Sequence, residues 1–258
     1  MIKNAIKHTL KLFNIGILKY DFLQDLLENR IGPLSPKLIA EHAEFLLAPA
    51  QAAELKNSRS QLLQDIFVLS RLNYKRNGFF VEFGATDGIA LSNTYLLEKA
   101  YDWKGILAEP GIRWHAALRA NRNCIIEENC VWKASGLTLT FKETNDAELS
   151  TIADFVASDF HKDDRDNGKT YEVKTISLND LLKKHNAPKE IEYLSIDTEG
   201  SEYEILSAFD FSQYEIKIIT CEHNYSPARD KIFKLLTSQG YKRVFANVSL
   251  WDDWYVRS

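Results

Sequence analysis

The spacing of apolar positions changes at Asn77-Gly78. Upstream, Leu10, Leu12, Phe13, Ile15, Ile17 and Leu18 cluster, and Leu23, Leu26 and Leu27 continue at helical spacing. Gly32-Pro33 is a break, after which Pro36 to Leu47 and Ala50 to Leu72 read as two further helices. Downstream, short and nearly continuous apolar runs take over: Phe79 to Phe83, Trp103 to Ala108, Cys124 to Ile126, Ile191 to Ile196 and Ile216 to Cys221. Runs of that length and continuity suit strands buried on both faces. Helical segments fall between them, at Ser92 to Lys99, Arg113 to Asn121, Tyr203 to Ala208 and Arg229 to Gly240. Ser177-Leu-Asn-Asp180 fits a capped helix start. Tyr241 to Phe245 and Trp251 to Val256 read as a final antiparallel pair.

Strand and helix alternating in this way predict an α/β fold: a doubly wound, mostly parallel sheet with right-handed crossovers. The division expected is a helical accessory region over 1–76, capping a main domain over 77–258. A length of 258 residues suits one large domain with such an accessory segment. The stretch from Val131 to Val173 is less regular. Strand-like Leu137 to Phe141 and Tyr171 to Thr175 flank a polar run, His161 to Gly168, that reads as a solvated loop, with a mobile lid as the sharper alternative.

Lys3, Lys7, Lys11 and Lys19 interrupt the first apolar cluster, so neither a secretory leader nor a membrane span is expected. A basic amphipathic helix there would suit a homo-oligomer contact or peripheral contact with anionic lipid. Hydrophobic residues at 45% and charged residues at 26% are ordinary globular usage. The net charge of -4 gives no reason to expect a nucleic-acid partner. Cys124, Cys130 and Cys221 are odd in number and form no close pair. They argue against a disulfide framework or a cysteine zinc site, and for a reducing, cytoplasmic setting.

In an open α/β sheet, ligands bind beyond the carboxyl ends of the strands. What stands there is acidic and small: Gly84 to Gly88, Glu109, Asp197 to Gly200, and Glu222 to Asn224. Gly84 and Gly88 allow close backbone approach and a sharp turn. Thr86 occupies the place of the second glycine in a dinucleotide fingerprint, where that glycine admits a pyrophosphate. Glu82 and Asp87 would repel a pyrophosphate and suit a ligand with an ammonium group and no phosphate, as in S-adenosylmethionine. Glu109 lies where an acid holds the ribose hydroxyls. A nicotinamide-dependent oxidoreductase is disfavoured on the same grounds.

Phe80-Val-Glu-Phe-Gly-Ala-Thr-Asp-Gly88, Leu91-Ser-Asn-Thr-Tyr95, Trp103-Lys-Gly-Ile-Leu-Ala-Glu-Pro110, Leu194-Ser-Ile-Asp-Thr-Glu-Gly-Ser-Glu202 and Glu222-His-Asn224 together resemble the FkbM family of methyltransferases. The resemblance covers about Gly78 to the C-terminus and leaves out the helical N-terminus. It implies a class I, Rossmann-like methyltransferase fold and methyl transfer from S-adenosylmethionine, usually to a hydroxyl oxygen. It also implies that Glu82, Gly84 and Ser92 line the methionine end of the cofactor, that Glu109 holds the ribose, and that residues near Asn129 and Cys130 border the adenine. Thr86, Asp87, Gly88 and Asp197 complete the expected cofactor set. Ala85-Thr86 is a departure from the wider fold, where a second glycine is common.

Transfer to oxygen needs an acceptor held in line and a base or metal that takes its proton. Asp197, Glu199, Glu222 and His223 stand at two strand ends facing one crevice. Two sub-hypotheses follow. In one, His223 or Asp197, with Glu199 beside it, is the catalytic group. In the other, Asp197 and Glu222 with His223 or Asn224 hold a divalent cation such as magnesium. The expected acceptor is a small molecule or glycan: a sugar or secondary-metabolite hydroxyl. A non-catalytic cofactor-binding or scaffold protein that kept the fold is the alternative.

Overall fold

The computed structural model describes residues 54, 56–143, 151–152, 169–246 and 249–258. The helices expected up to residue 53, and the loop or lid expected over 161–168, lie outside the described residues. The strands are β1 (Phe79–Phe83), β2 (Lys104–Ala108), β3 (Ile125–Glu127), β4 (Cys130–Trp132), β5 (Thr138–Glu143), β6 (Thr151–Ile152), β7 (Lys169–Ser177), β8 (Glu190–Ile196), β9 (Glu215–Glu222), β10 (Tyr241–Val244) and β11 (Asp252–Arg257). The helices are α1 (Gln64–Arg71), α2 (Tyr95–Tyr101), α3 (His115–Asn121), α4 (Leu178–Lys184), α5 (Glu202–Ser207) and α6 (Ala228–Ser238).

Seven strands form the main sheet, in the order β10-β11-β9-β8-β1-β2-β3. β1 pairs in parallel with β2 and with β8, β2 with β3, and β8 with β9. β11 runs antiparallel to both β9 and β10, as the sequence pattern predicts for the final pair. The chain lays strands outward from β1 to β3, then returns to the other side of β1 for β8 and β9. The strand order therefore reverses between β1 and β8, which in a doubly wound sheet is where a ligand crevice opens. This is the class I methyltransferase architecture.

The unbroken apolar runs follow from burial on both faces. Val81, Phe83, Ile106 and Leu194 belong to one core cluster, with Leu181, Leu182, Ile205 and Leu236 of the covering helices. Phe80, Leu107, Tyr193 and Trp254 belong to a second, with Ile66, Phe67, Leu97 and Leu118. Successive strand residues point to opposite faces, so each strand must be apolar throughout.

Two element boundaries differ from the pattern. The helix expected from Ala50 to Leu72 is broken: Glu54 is helical, residues 56–63 are not, and α1 begins only at Gln64, because Leu63 is in the left-handed region (φ 64°) and Ser60 bridges to Leu91. The helix expected from Ser92 starts at Tyr95, because the Ser92 hydroxyl serves the loop before it and accepts from the Tyr95 N–H at 3.1 Å. At α4 the expected cap is present: the Ser177 hydroxyl accepts from the Asp180 N–H at 3.2 Å. The less regular stretch builds a small second sheet, β4-β7-β5-β6, in which Phe141, Cys130, Trp132 and Val173 pack together. Among the described residues no helix is long and apolar enough to cross a membrane.

Candidate functional site

A cleft of about 870 Å³, counting its open mouth, lies along the carboxyl edge of β1, β2 and β8. Glu82, Gly84, Thr86, Glu109, Cys130, Asp197 and Glu199 all line it. These residues come from four separate stretches of chain, and the sheet topology is what joins them. Gly84 has a φ of +73°, and a Cβ at that position would collide with the Asp197 carbonyl oxygen. Only a glycine lets β1 turn there against the end of β8.

Glu109 is buried, and its two oxygens are held from two directions. Oε2 accepts from the Thr86 N–H at 2.8 Å and Oε1 from the Gly111 N–H at 2.7 Å. Burial pushes this carboxyl up to about 7, against those two hydrogen bonds, and the charges of Asp197 and Glu143 push the same way. Each oxygen keeps a further lone pair, which suits a vicinal pair of hydroxyls.

Several expected cofactor contacts are turned inward instead. Ser92 is buried, and its hydroxyl donates to Glu82 Oε2 at 3.1 Å. Glu82 also accepts from the Asn93 N–H at 2.7 Å and from the Thr94 hydroxyl, with Arg122 at 3.8 Å. Ser92 therefore fixes Glu82 and is not among the residues lining the cleft. Asp87 Oδ1 accepts from the Ile89 and Ala90 N–H groups at 2.7 and 2.8 Å, which closes the loop on itself. Gly88 packs against Arg122 and Leu118, where a Cβ would come within 2.6 Å of Arg122. Asn129 donates to Glu127 at 2.8 Å and also stands outside the lining, leaving Cys130 beside Val131 and Phe141 on the cleft's apolar wall.

The acids divide differently from the expected set. Oxygens of Asp197, Glu199 and Glu222 lie within 4.8 Å of one another. Burial first, then the Asp197 and Glu199 charges, raise Glu222 well above the ordinary carboxylate value, and its side chain hydrogen-bonds to Asp197. His223 does not join them. Its Nδ1 accepts from the Tyr225 N–H at 3.0 Å, and its Nε2 faces Asp253 Oδ1 at 3.7 Å. Burial pushes this imidazole down to about 4, leaving it neutral. The two are neighbours at the end of β9, where Glu222 is the last strand residue and turns to Asp197 while His223, just beyond it, turns to Asp253. Among the described residues the acids that could hold a cation together are Asp197, Glu199 and Glu222; His223, expected with Asp197 and Glu222, lies outside that group, its Nδ1 engaged by Tyr225 and its Nε2 buried without a hydrogen-bond partner.

Asn93, Thr198, Ser201 and Phe141 also line the cleft and were not singled out from the sequence. Asn93 lies inside the motif Leu91 to Tyr95, which is the one signal that could have found it. Phe141 arrives from the second sheet and has no local signal.

The chain matches the family model of the methyltransferase FkbM domain over residues 82–243. No curated protein matches it. Among solved structures it is similar to an FkbM methyltransferase from Methylobacillus flagellatus, at 12% identity and a TM-score of 0.46, covering 92% of this chain and 60% of that one. It is also similar to a precorrin-6y C5,15-methyltransferase from Geobacter metallireducens, at 12% identity and a TM-score of 0.40, covering 70% and 71%. A putative RNA methyltransferase from Pyrococcus horikoshii matches at 12% identity and a TM-score of 0.37, covering 94% and 99%.

Proposed function

The chain belongs to the FkbM methyltransferase family, and on that premise we propose that it methylates a hydroxyl oxygen of a sugar, glycan or other small-molecule acceptor. One observation carries this reading: Gly84, Glu109 and Asp197, far apart in the chain, line a single cleft at the sheet's switch point. S-adenosylmethionine supplies an electrophilic methyl group on its sulfonium when bound. The residues present fit it. Gly84 lets β1 turn tightly against Asp197 so that both stand on the cleft, and buried Glu109 offers two acceptor oxygens for the ribose hydroxyls. Cys130, Val131 and Phe141 give an apolar wall for a purine. No lysine, arginine or histidine is among the described lining residues, so a pyrophosphate would find no cationic partner.

An attacking alcohol must shed its proton as the new carbon–oxygen bond forms. Asp197 lines the cleft and takes that proton; Glu222, hydrogen-bonded behind it, holds its carboxylate in place. Glu199 completes a trio of oxygen donors suited to a hard divalent cation such as magnesium, which would acidify the hydroxyl.

Calorimetry with S-adenosylmethionine and with NAD tests the cofactor, and tight NAD binding would overturn the reading. Glu109→Ala is expected to weaken S-adenosylmethionine binding by about tenfold or more, the size of one charge-assisted pair of hydrogen bonds. A screen of radiolabelled methyl transfer to sugars and glycans, with magnesium or with chelator, tests the acceptor and the cation. Asp197→Asn should lower transfer by about 100-fold or more, as for loss of a general base.

A further inference from the structure

The corner of the cleft between β1 and β8 holds an acceptor that no hydrogen bond among the described residues uses. Glu82 and Ser195 face each other across the parallel pairing of β1 and β8. Above them the Asn93 main-chain N–H donates to Glu82 at 2.7 Å, and the Asn93 side-chain amide donates from Nδ2 to Ser195 Oγ at 2.9 Å. Ser195 is itself part of a buried chain of hydroxyls, with Thr220 at 3.4 Å and Tyr193 beyond it at 2.7 Å from Thr220. Backbone and side chain of Asn93 are thus pinned at both ends. Among the described residues its Oδ1 is shut from solvent and accepts no hydrogen bond. A buried carbonyl left in that condition is unfavourable unless something supplies a donor.

We infer that the Asn93 side-chain carbonyl is the acceptor for the ammonium group at the methionine end of the cofactor. The inference rests on the cofactor reading above and names a residue within it. Ser92 donates its hydroxyl proton to Glu82, and Glu82 is already met by Ser92, Asn93, Thr94 and Arg122. The acceptor left over is therefore the neighbour of both, on a residue that lines the cleft. The adjacent Glu82 carboxylate favours a cationic donor over a neutral one. Three donors on an ammonium suit a site where one neutral carbonyl is available beside a carboxylate that is largely engaged.

The test compares two nucleosides on the full chain by calorimetry. S-adenosylhomocysteine carries the amino-acid end; methylthioadenosine lacks it. Asn93→Ala is expected to weaken S-adenosylhomocysteine binding about 10-fold and to change methylthioadenosine binding less than about 2-fold. Asn93→Asp, which keeps an oxygen acceptor at that place, is expected to recover most of the lost affinity. Equal weakening of both nucleosides, or no weakening of either, would overturn the assignment, since a residue that only shapes the loop would not separate the two. A wild-type chain that binds neither nucleoside would instead overturn the cofactor reading itself.

Discussion

Glu109 carries both the proposed ribose contact and a penalty for burial. Its carboxyl is lifted from the usual 4.5 to about 7. Between those values the folded chain holds a proton that the unfolded chain has released, so the stability contributed by this group is full below about 4.5 and is lost as pH rises through about 7. Glu109→Gln removes that linkage. The difference in Tm, variant minus wild type, should therefore grow in the variant's favour from pH 4.5 to pH 8 in thermal denaturation; a flat difference would mean that the carboxyl ionises alike in both states. Affinity for S-adenosylmethionine should rise over the same window in the wild type alone, because the ionised form accepts both hydroxyls. His223 is not among the residues lining the cleft. Its Nδ1 accepts from the Tyr225 N–H and its ring is neutral. His223→Ala should cost about 1–3 kcal/mol of stability in urea denaturation, for the lost packing of a buried ring and the hydrogen bond from Tyr225. Methyl transfer per folded molecule should stay within a few-fold of wild type, whereas a loss of 100-fold would restore His223 to the catalytic set.

The decisive element is the turn that leaves β1. Gly84 must be left-handed, and it meets the backbone of Asp197 at the end of β8. Gly84→Ala should therefore push β1 and β8 apart at their carboxyl ends, lowering stability by about 1–3 kcal/mol and abolishing cofactor binding, as thermal denaturation and calorimetry would show. Retained affinity would mean that the loop can relax away from Asp197. The following loop was only half legible in the sequence. Its glycines and acids marked a turn at a strand end, and that is what they make. Which acids face outward was not legible: Asp87 closes its own loop and Ser92 braces Glu82, because main-chain N–H groups near them need acceptors. The helix start shifted from Ser92 to Tyr95 for the same reason.

At the scale of the molecule, the described residues are tied together across long separations in sequence. Phe67 of α1 stacks on Trp254 of β11 with ring centroids 4.6 Å apart, and Gln64 donates to Asp252 at 2.9 Å. Both Phe67 and Trp254 are fully buried. Phe67→Ala should cost about 3–5 kcal/mol. Because the contact joins α1 to β11 within the main sheet, calorimetry should show one unfolding transition moved to lower temperature. A separate early transition would mark α1 as an independent unit. Such contacts span sequence separations that no local pattern reports. The sequence by itself determined the strands of the main sheet, the doubly wound class and the acids and glycines at the strand ends. Periodicity and turn chemistry act within a few residues of one another, and burial on both faces leaves an unmistakable apolar run. Only the tertiary structure decided which of those polar groups share a cleft. It placed Glu199 beside Asp197 and Glu222 and turned His223 toward Asp253. It brought Asn93 to Ser195 and Phe141 to the wall opposite. Those outcomes depend on strand register and on where each buried donor finds an acceptor, quantities set by the packed sheet as a whole.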